Sequence, residues 1–257
     1  MDDRTKRKIE TMQRAGGILG QVMREIIDYV KEGVSELDVD KLAERRILEL
    51  GGEPGFKKVD GYRHTICAST NDVVVHGIPK DKKFVQGDIF GFDCGVYLDG
   101  YHTDMAESII VGETHDVGRR KFLDAGKKAL FQAIAEAKPG NHVGHISQAM
   151  QEGVESHGYS IVRSLVGHGV GRELHEEPEI PGYLEGKIEK TPRLRVGMTI
   201  AIEVIYNMGN PEVVFEGTDD WTIVSEDGSL SGLFERTLYI SESGPKLITK
   251  LFDDPLE

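Results

Sequence analysis

Gly87-Asp-Ile-Phe-Gly-Phe-Asp93 and Gly197-Met-Thr-Ile-Ala-Ile-Glu203 are the two stretches on which the fold turns. Each is a glycine followed six residues later by a carboxylate at the end of an apolar run. Other landmarks recur in the same order at a spacing near 110 residues. Ala15-Gly16 returns as Ala125-Gly126, Lys31-Glu-Gly33 as Lys138-Pro-Gly140, and Gly51-Gly52 as His157-Gly158. An internal repeat of this kind predicts two similar α+β halves, roughly residues 10–112 and 118–242, within one domain spanning 1–257. The halves should face each other across a pseudo-twofold axis, with carboxylates from both meeting in the middle.

Around these anchors the hydrophobic period alternates between two textures. Arg4–Lys31 and Leu37–Leu50 carry apolar residues at helical spacing, the second stopping at Gly51-Gly52. Val73–Val75, Ile89–Cys94 and Ser108–Val111 are short, β-branched and glycine-bounded, as strands are. Helical texture returns over Gly118–Ala137 and His145–Ser156. Strand texture follows at Ser160–Val166, Thr199–Ile205, Trp221–Val224 and Phe234–Ile240.

The 257 residues, 39% hydrophobic and 29% charged, suffice for a sizeable core and contain no apolar run long enough to span a membrane. Basic residues at the start are not followed by an apolar stretch, so a secretory signal is not expected. A net charge of −13 disfavours nucleic acid or anionic lipid as partner. Two cysteines, Cys67 and Cys94, offer no disulfide framework, and a reducing cytoplasm is the expected compartment.

Several carboxylates stand where burial is costly without a counter-charge. Asp93 ends a nearly all-apolar strand, and Asp104 follows eleven residues later, beyond a stretch that reads as a hairpin loop. Two strands of one hairpin can bring both to one face, although Asp104 alone could equally cap a turn. Asp99, before Gly100, reads as a turn residue. Glu203 is isolated in a buried-looking strand, and Glu235 is similar except that Arg236 could pair with it. Gly167-His-Gly-Val-Gly-Arg-Glu-Leu-His-Glu-Glu-Pro178 places His168 and His175 in a glycine-rich loop, with Glu176 and Glu177 expected in solvent. Four carboxylates and one imidazole (Asp93, Asp104, His168, Glu203, Glu235) suit two divalent cations sharing carboxylates, as in two-metal hydrolases. The absence of thiolates argues against structural zinc, and the scatter of the acids argues against a single calcium loop. His76, before Gly-Ile-Pro, is either a substrate-orienting group or an ordinary strand-end histidine.

Cys67-Ala-Ser-Thr-Asn-Asp-Val-Val-Val-His-Gly-Ile-Pro79, Asp93-Cys-Gly-Val-Tyr-Leu-Asp-Gly-Tyr-His-Thr-Asp104, the His168 loop, and Trp221 followed by Glu235 resemble type 1 methionine aminopeptidases over essentially the whole chain. The resemblance implies the α/β pita-bread fold, two pseudo-symmetric halves around a curved antiparallel sheet with helices outside. It implies removal of the first methionine from nascent or newly made proteins when the second residue is small. It makes Asp93, Asp104, His168, Glu203 and Glu235 the ligands of two divalent cations (manganese, iron, cobalt or zinc), with Asp104 and Glu235 bridging. His76, His175 and Glu203 become the catalytic side chains, and Tyr62, Cys67 and Trp221 join the two histidines in binding substrate. A monomer is implied, with room for a transient ribosome contact and none for a specific nucleic acid or membrane.

The chain departs from that pattern at five positions. Val204 stands where the family usually has proline, Leu233 where it has glutamine, and Arg236 where it has histidine. Val59 and Leu174 stand where the methionine pocket often presents aromatic rings. An arginine at 236 is expected to compete for the charge of the bridging carboxylate beside it. The rival readings are an Xaa-Pro aminopeptidase or dipeptidase on the same fold, and a non-catalytic binding protein. The first generally carries an extra N-terminal domain, whereas only about ninety residues precede Asp93 here. The second is expected to have lost ligands.

Overall fold

In a computed structural model, residues 1–217 and 219–255 are described. The first half contributes helices α1 (Asp3–Tyr29) and α2 (Glu36–Glu49) and strands β1 (Glu53–Pro54), β2 (Ile66–Thr70), β3 (Val73–Val75), β4 (Ile89–Leu98) and β5 (Tyr101–Ile110). The second contributes α3 (Val117–Ala135), α4 (Val143–Glu155), β6 (Ser160–Ile161), β7 (Val166–Gly169), β8 (Glu176–Pro181) and β9 (Thr199–Asn207). It ends with β10 (Val213–Phe215), β11 (Ile223–Ser225), β12 (Ser231–Ser241) and β13 (Gly244–Leu247).

Local chemistry sets the helix ends. Asp2 accepts from the Thr5 N–H at 2.7 Å and starts α1 at Asp3, and a Ser35/Asp38 capping box starts α2. Val59 follows a short 3-10 turn, Phe56–Lys58. The β4–β5 connection is tighter than the sequence suggests. The strands run to Leu98 and resume at Tyr101, leaving only Asp99 and Gly100, both at positive φ, as the turn.

Two sheets carry the architecture. In one, β4 lies between β1 and β5 with β2 also paired to β4; in the other the order is β13-β12-β9-β7-β8. Alternate residues of β4 (Phe90, Phe92, Cys94, Val96) pack with α1 and α2. Ile200, Ile202, Val204 and Tyr206 of β9, with Phe234, Leu238 and Ile240 of β12, pack with α3 and α4. The opposite faces of both sheets are left to meet each other. They join along β5 and β12, where hydroxyl groups bridge the strands. Asp104 N–H donates to Thr237 Oγ1 at 3.0 Å, and that hydroxyl donates to the Asp104 carbonyl at 2.8 Å. Ser108 does the same for Leu233, donating to its carbonyl at 2.8 Å and accepting its N–H at 3.0 Å.

Two strand expectations change. The run Ser160–Val166 is not one strand, because after Val162 the chain leaves the sheet at exposed Arg163 and Ser164. Trp221 precedes its strand, since the Asp219 carboxylate takes the N–H groups of Trp221 and Thr222 at 2.9 and 2.8 Å. The small sheet β10-β11-β3 then sets Trp221 close to His76, which follows β3. No described helix is long and apolar enough to cross a membrane.

Candidate metal centre and substrate pocket

The carboxylates converge through strand register. Asp93 pairs with Ala106 and Asp104 with Gly95, so the two acids lie diagonally on one face of the β4–β5 hairpin. Glu203 and Glu235 stand directly opposite each other on β9 and β12. His168 is registered against Ala201 of β9, which puts it on the Glu203 face. Its Nδ1–H donates to the Gly169 carbonyl at 2.9 Å, which leaves Nε2 free to face the acids. From Nε2 the distances are 3.4 Å to Glu203 Oε1, 3.9 Å to Glu235 Oε1 and 4.0 Å to Asp104 Oδ2. All five residues expected to form the cluster therefore line one cavity.

The electrostatics of that cavity are those of an acid cluster. Burial and the neighbouring Glu203 charge push Asp93 up to about 7. Burial pushes Asp104, Glu203 and Glu235 well above the usual carboxylate range, with the other acids adding to it. Burial holds His168 down at about 4, so its imidazole is neutral at pH 7. Among the described residues, Asp93 Oδ1 and Glu235 Oε1 are buried with no hydrogen-bond partner. Donor atoms of Asp104, His168 and Glu235 lie within 4.8 Å of one another. Orphaned carboxylate oxygens and an unprotonated imidazole nitrogen aimed at one space fit a divalent cation.

Beside the acids the cavity, about 110 Å³, becomes apolar, with Phe56, Val59, Tyr62, Cys67, Leu174 and Trp221 along its wall. Tyr62 meets Trp221 edge-on at 5.0 Å and anchors its hydroxyl on the Ile66 carbonyl at 2.8 Å. Phe56 was not singled out from sequence. Its ring stands 6.4 Å from that of Tyr62 and packs on Gly95, where a Cβ would come within 2.8 Å of it. The Gly55-Phe56 pair preceding Val59 is the only local signal, because nothing in the strand pattern shows a 3-10 turn folding back onto β4.

His76 and His175 both line the cavity, and burial holds both below the ordinary histidine range. His76 has φ of 56°, a left-handed conformation rare outside glycine. The following Gly77 approaches so closely that a Cβ would sit 2.0 Å from the Ala68 carbonyl oxygen. His175 packs edge-on to His168 with ring centres 4.4 Å apart. Its loop is held by Glu176, whose carboxylate accepts the N–H groups of Arg172 and Glu173 at 2.7 and 3.1 Å. Glu176 is thus half-buried and structural, contrary to the expectation of a solvated acid, while Glu177 is exposed.

Arg236 also departs from expectation. Adjacent residues of a strand face opposite ways, so Glu235 enters the cavity while the Arg236 side chain is fully buried on the helix side. There it binds Glu107 at 2.6 Å and Asp254 at 2.7 and 2.9 Å. It does not pair with the Glu235 carboxylate; its Nη1 donates to the Glu235 main-chain carbonyl at 2.8 Å. Val204 likewise faces the α3–α4 core, and Leu233 packs with Val74, Val75 and Ile205 outside the cavity lining.

Two antiparallel sheets that deliver acids from both halves to one central cavity define a metallohydrolase architecture. The profile of metallopeptidase family M24 matches residues 10–240, and the chain belongs to that family. It is 40% identical over 248 residues to methionine aminopeptidase 1 of Bacillus subtilis, covering 96% of this chain and 98% of the relative. The crystal structure of a methionine aminopeptidase from Thermotoga maritima superposes with a TM-score of 0.90 at 40% identity, covering 95% of this chain and 96% of that one. A prolidase from Pyrococcus furiosus shares the fold at a TM-score of 0.76 and 26% identity, but this chain spans only 64% of its length.

Proposed function

We propose that this chain is a methionyl aminopeptidase that removes the first methionine of newly made proteins and peptides when the second residue is small. The observation that carries this reading is the apolar pocket opening directly onto the acidic centre, with His76 and His175 in its lining. In this reading Asp93, Asp104, His168, Glu203 and Glu235 would hold two divalent cations, with Asp104 and Glu235 as the proposed common ligands. Manganese, iron, cobalt and zinc all suit such donors, and availability selects among them. When bound, the cations lower the pKa of water and stabilise charge at the peptide carbonyl.

The chain's own groups do the rest. Tyr62, Cys67 and Trp221 receive the methionine side chain. A free α-amine, which only the first residue of a peptide possesses, is the group the cation centre would take, and this confines cleavage to the first bond. His76 hydrogen-bonds the scissile amide nitrogen, and His175 donates to the carbonyl oxygen as charge builds there. Glu203, in the cavity lining, takes the proton from the attacking water and passes it to the departing amine.

Two broader readings accompany this one. The enzyme works as a cytoplasmic monomer whose contacts with the ribosome are transient. The halves at 10–112 and 118–242 are a duplicated unit in one domain, supported by left-handed glycines at matching places: Gly33 and Gly140, Gly87 and Gly197. An Xaa-Pro specificity is disfavoured by the lower identity to the prolidase, 26% against 40% to the methionine aminopeptidase, and a purely binding role by the complete donor set. Cleavage of Met-Ala-Ser and Ala-Pro peptides by the cation-loaded protein separates the readings. Methionine release from the first is expected, and faster cleavage of Ala-Pro would overturn the proposal.

A further inference from the structure

After β13 the chain runs from Ile248 to Asp254 across the back of the two strands that carry Asp104 and Glu235. It is fitted closely to α1, where a Cβ at Gly16 would lie 2.1 Å from the Ile248 carbonyl oxygen and one at Gly20 2.5 Å from that of Lys250. From this bed it makes two kinds of contact with the strands. Thr249 is fully buried; its hydroxyl accepts the Thr237 N–H at 2.9 Å and donates to the Asp104 carbonyl at 3.3 Å. The Ile248 and Thr249 N–H groups both donate to the Thr237 carbonyl, at 2.9 and 3.1 Å. Asp254, its side chain wholly buried, takes Arg236 in a two-point grip at 2.7 and 2.9 Å. Arg236 in turn donates through Nη1 to the main-chain carbonyls of Ala106, at 3.0 Å, and Glu235, at 2.8 Å.

Each shared carboxylate thus has its own main chain tied to the segment from behind, Asp104 through Thr249 and Glu235 through Arg236 and Asp254. We propose that Ile248–Asp254 is a buttress that sets the spacing of Asp104 and Glu235, with Thr249, Arg236 and Asp254 as positioning residues for cation binding. This rests on the assignment of Asp104 and Glu235 as cation ligands. Neither Thr249 nor Asp254 lines the cavity. Their effect passes through main-chain position, and a cation site depends on that position to within about 0.5 Å. Without Asp254 the two-point grip on the buried Arg236 is lost, and the guanidinium must shift or draw in water.

Cobalt(II) binding to the full chain, followed by chelator competition and by the visible spectrum of the bound ion, tests the proposal. Partners behind metal ligands change affinity by roughly 10–100-fold. Asp254→Asn and Thr249→Val are each expected to weaken cobalt binding by about tenfold and to alter its spectrum. Thr249→Ser, which keeps the hydroxyl, should restore both. Ile248→Ala removes packing from the same segment and should lower the melting temperature while leaving the spectrum as in the parent. Unchanged affinity and spectrum in both Asp254→Asn and Thr249→Val would overturn the buttress, whatever their melting temperatures. If Asp254→Asn does not fold, the Thr249→Val and Thr249→Ser pair decides alone. Asp104→Asn separates ligand from support: full cobalt binding by that variant defeats the ligand assignment, whereas its loss beside normal Asp254→Asn and Thr249→Val variants defeats only the buttress.

Discussion

Four carboxylates in one buried space repel one another, and in the cation-free protein part of that repulsion is relieved by keeping protons. Asp93, ordinarily near 3.8, is raised to about 7, and Asp104, Glu203 and Glu235 are raised well above the usual carboxylate range. A carboxyl raised on folding stabilises the native state below its unfolded pKa, and that contribution is lost as pH climbs through the folded value. The buried histidines are lowered, so their contribution runs the other way, but it is complete above about pH 6.5. Between about pH 6.5 and pH 8 the acids dominate, and the melting temperature of the cation-free protein should fall with rising pH. Saturating cation should abolish that slope in calorimetry, because the cation replaces the protons. Asp104→Ala and Glu235→Ala should each remove activity and bound metal together; full metal content in either variant excludes sharing of these carboxylates. In the pocket, Val59 and Leu174 reduce ring contact with a thioether, and Phe56 returns one ring. Sulfur–aromatic contacts are worth roughly 0.3–1.5 kcal/mol. Phe56→Leu should therefore cut the Met-to-Leu ratio of kcat/KM by about twofold to tenfold, and Val59→Tyr with Leu174→Phe should raise it. Unchanged ratios place the rings outside the methionine subsite.

At the level of elements, alternation along strands explains which residues were legible. Asp93 and Glu203 stood out because each interrupts an apolar run, and register then brings Asp104 and Glu235 to them. The same alternation separates Glu235 from Arg236, which adjacency in sequence suggested were partners. Their opposite facing was implicit in the strand, but the Glu107 and Asp254 partners of Arg236 come from distant segments and leave no local trace. The turn before Trp221 was missed for a related reason: a single carboxylate, Asp219, diverts the backbone donors. Hydroxyl bridges between β5 and β12 are equally silent in sequence, since a serine or threonine in a strand is unremarkable. Ser108 both donates to and accepts from the Leu233 main chain, so Ser108→Ala leaves a buried N–H and C=O unpaired. A loss of about 1–3 kcal/mol is expected in urea unfolding. A loss below about 0.5 kcal/mol, the low end for one intramolecular hydrogen bond, would mean the joint does not depend on the hydroxyl.

For the molecule as a whole, the helices of each half cover the outer face of its own sheet, and the inner faces are left to build one shared centre. The order of elements and the two glycine-to-carboxylate strands made that arrangement readable from sequence, because they recur at one spacing. The extent of β12, its tie to Ile248–Asp254 and the place of Phe56 were not readable, since they depend on contacts between segments far apart in the chain. The most direct test of a shared cation centre serving an aminopeptidase is methionine release from Met-Ala-Ser by chelator-stripped protein, titrated with manganese, iron, cobalt and zinc in turn. No release is expected from the stripped protein, with activity returning as cation is added and saturating at no more than two cations per chain. Methionine release at full rate without cation, or none with any of the four, would contradict it.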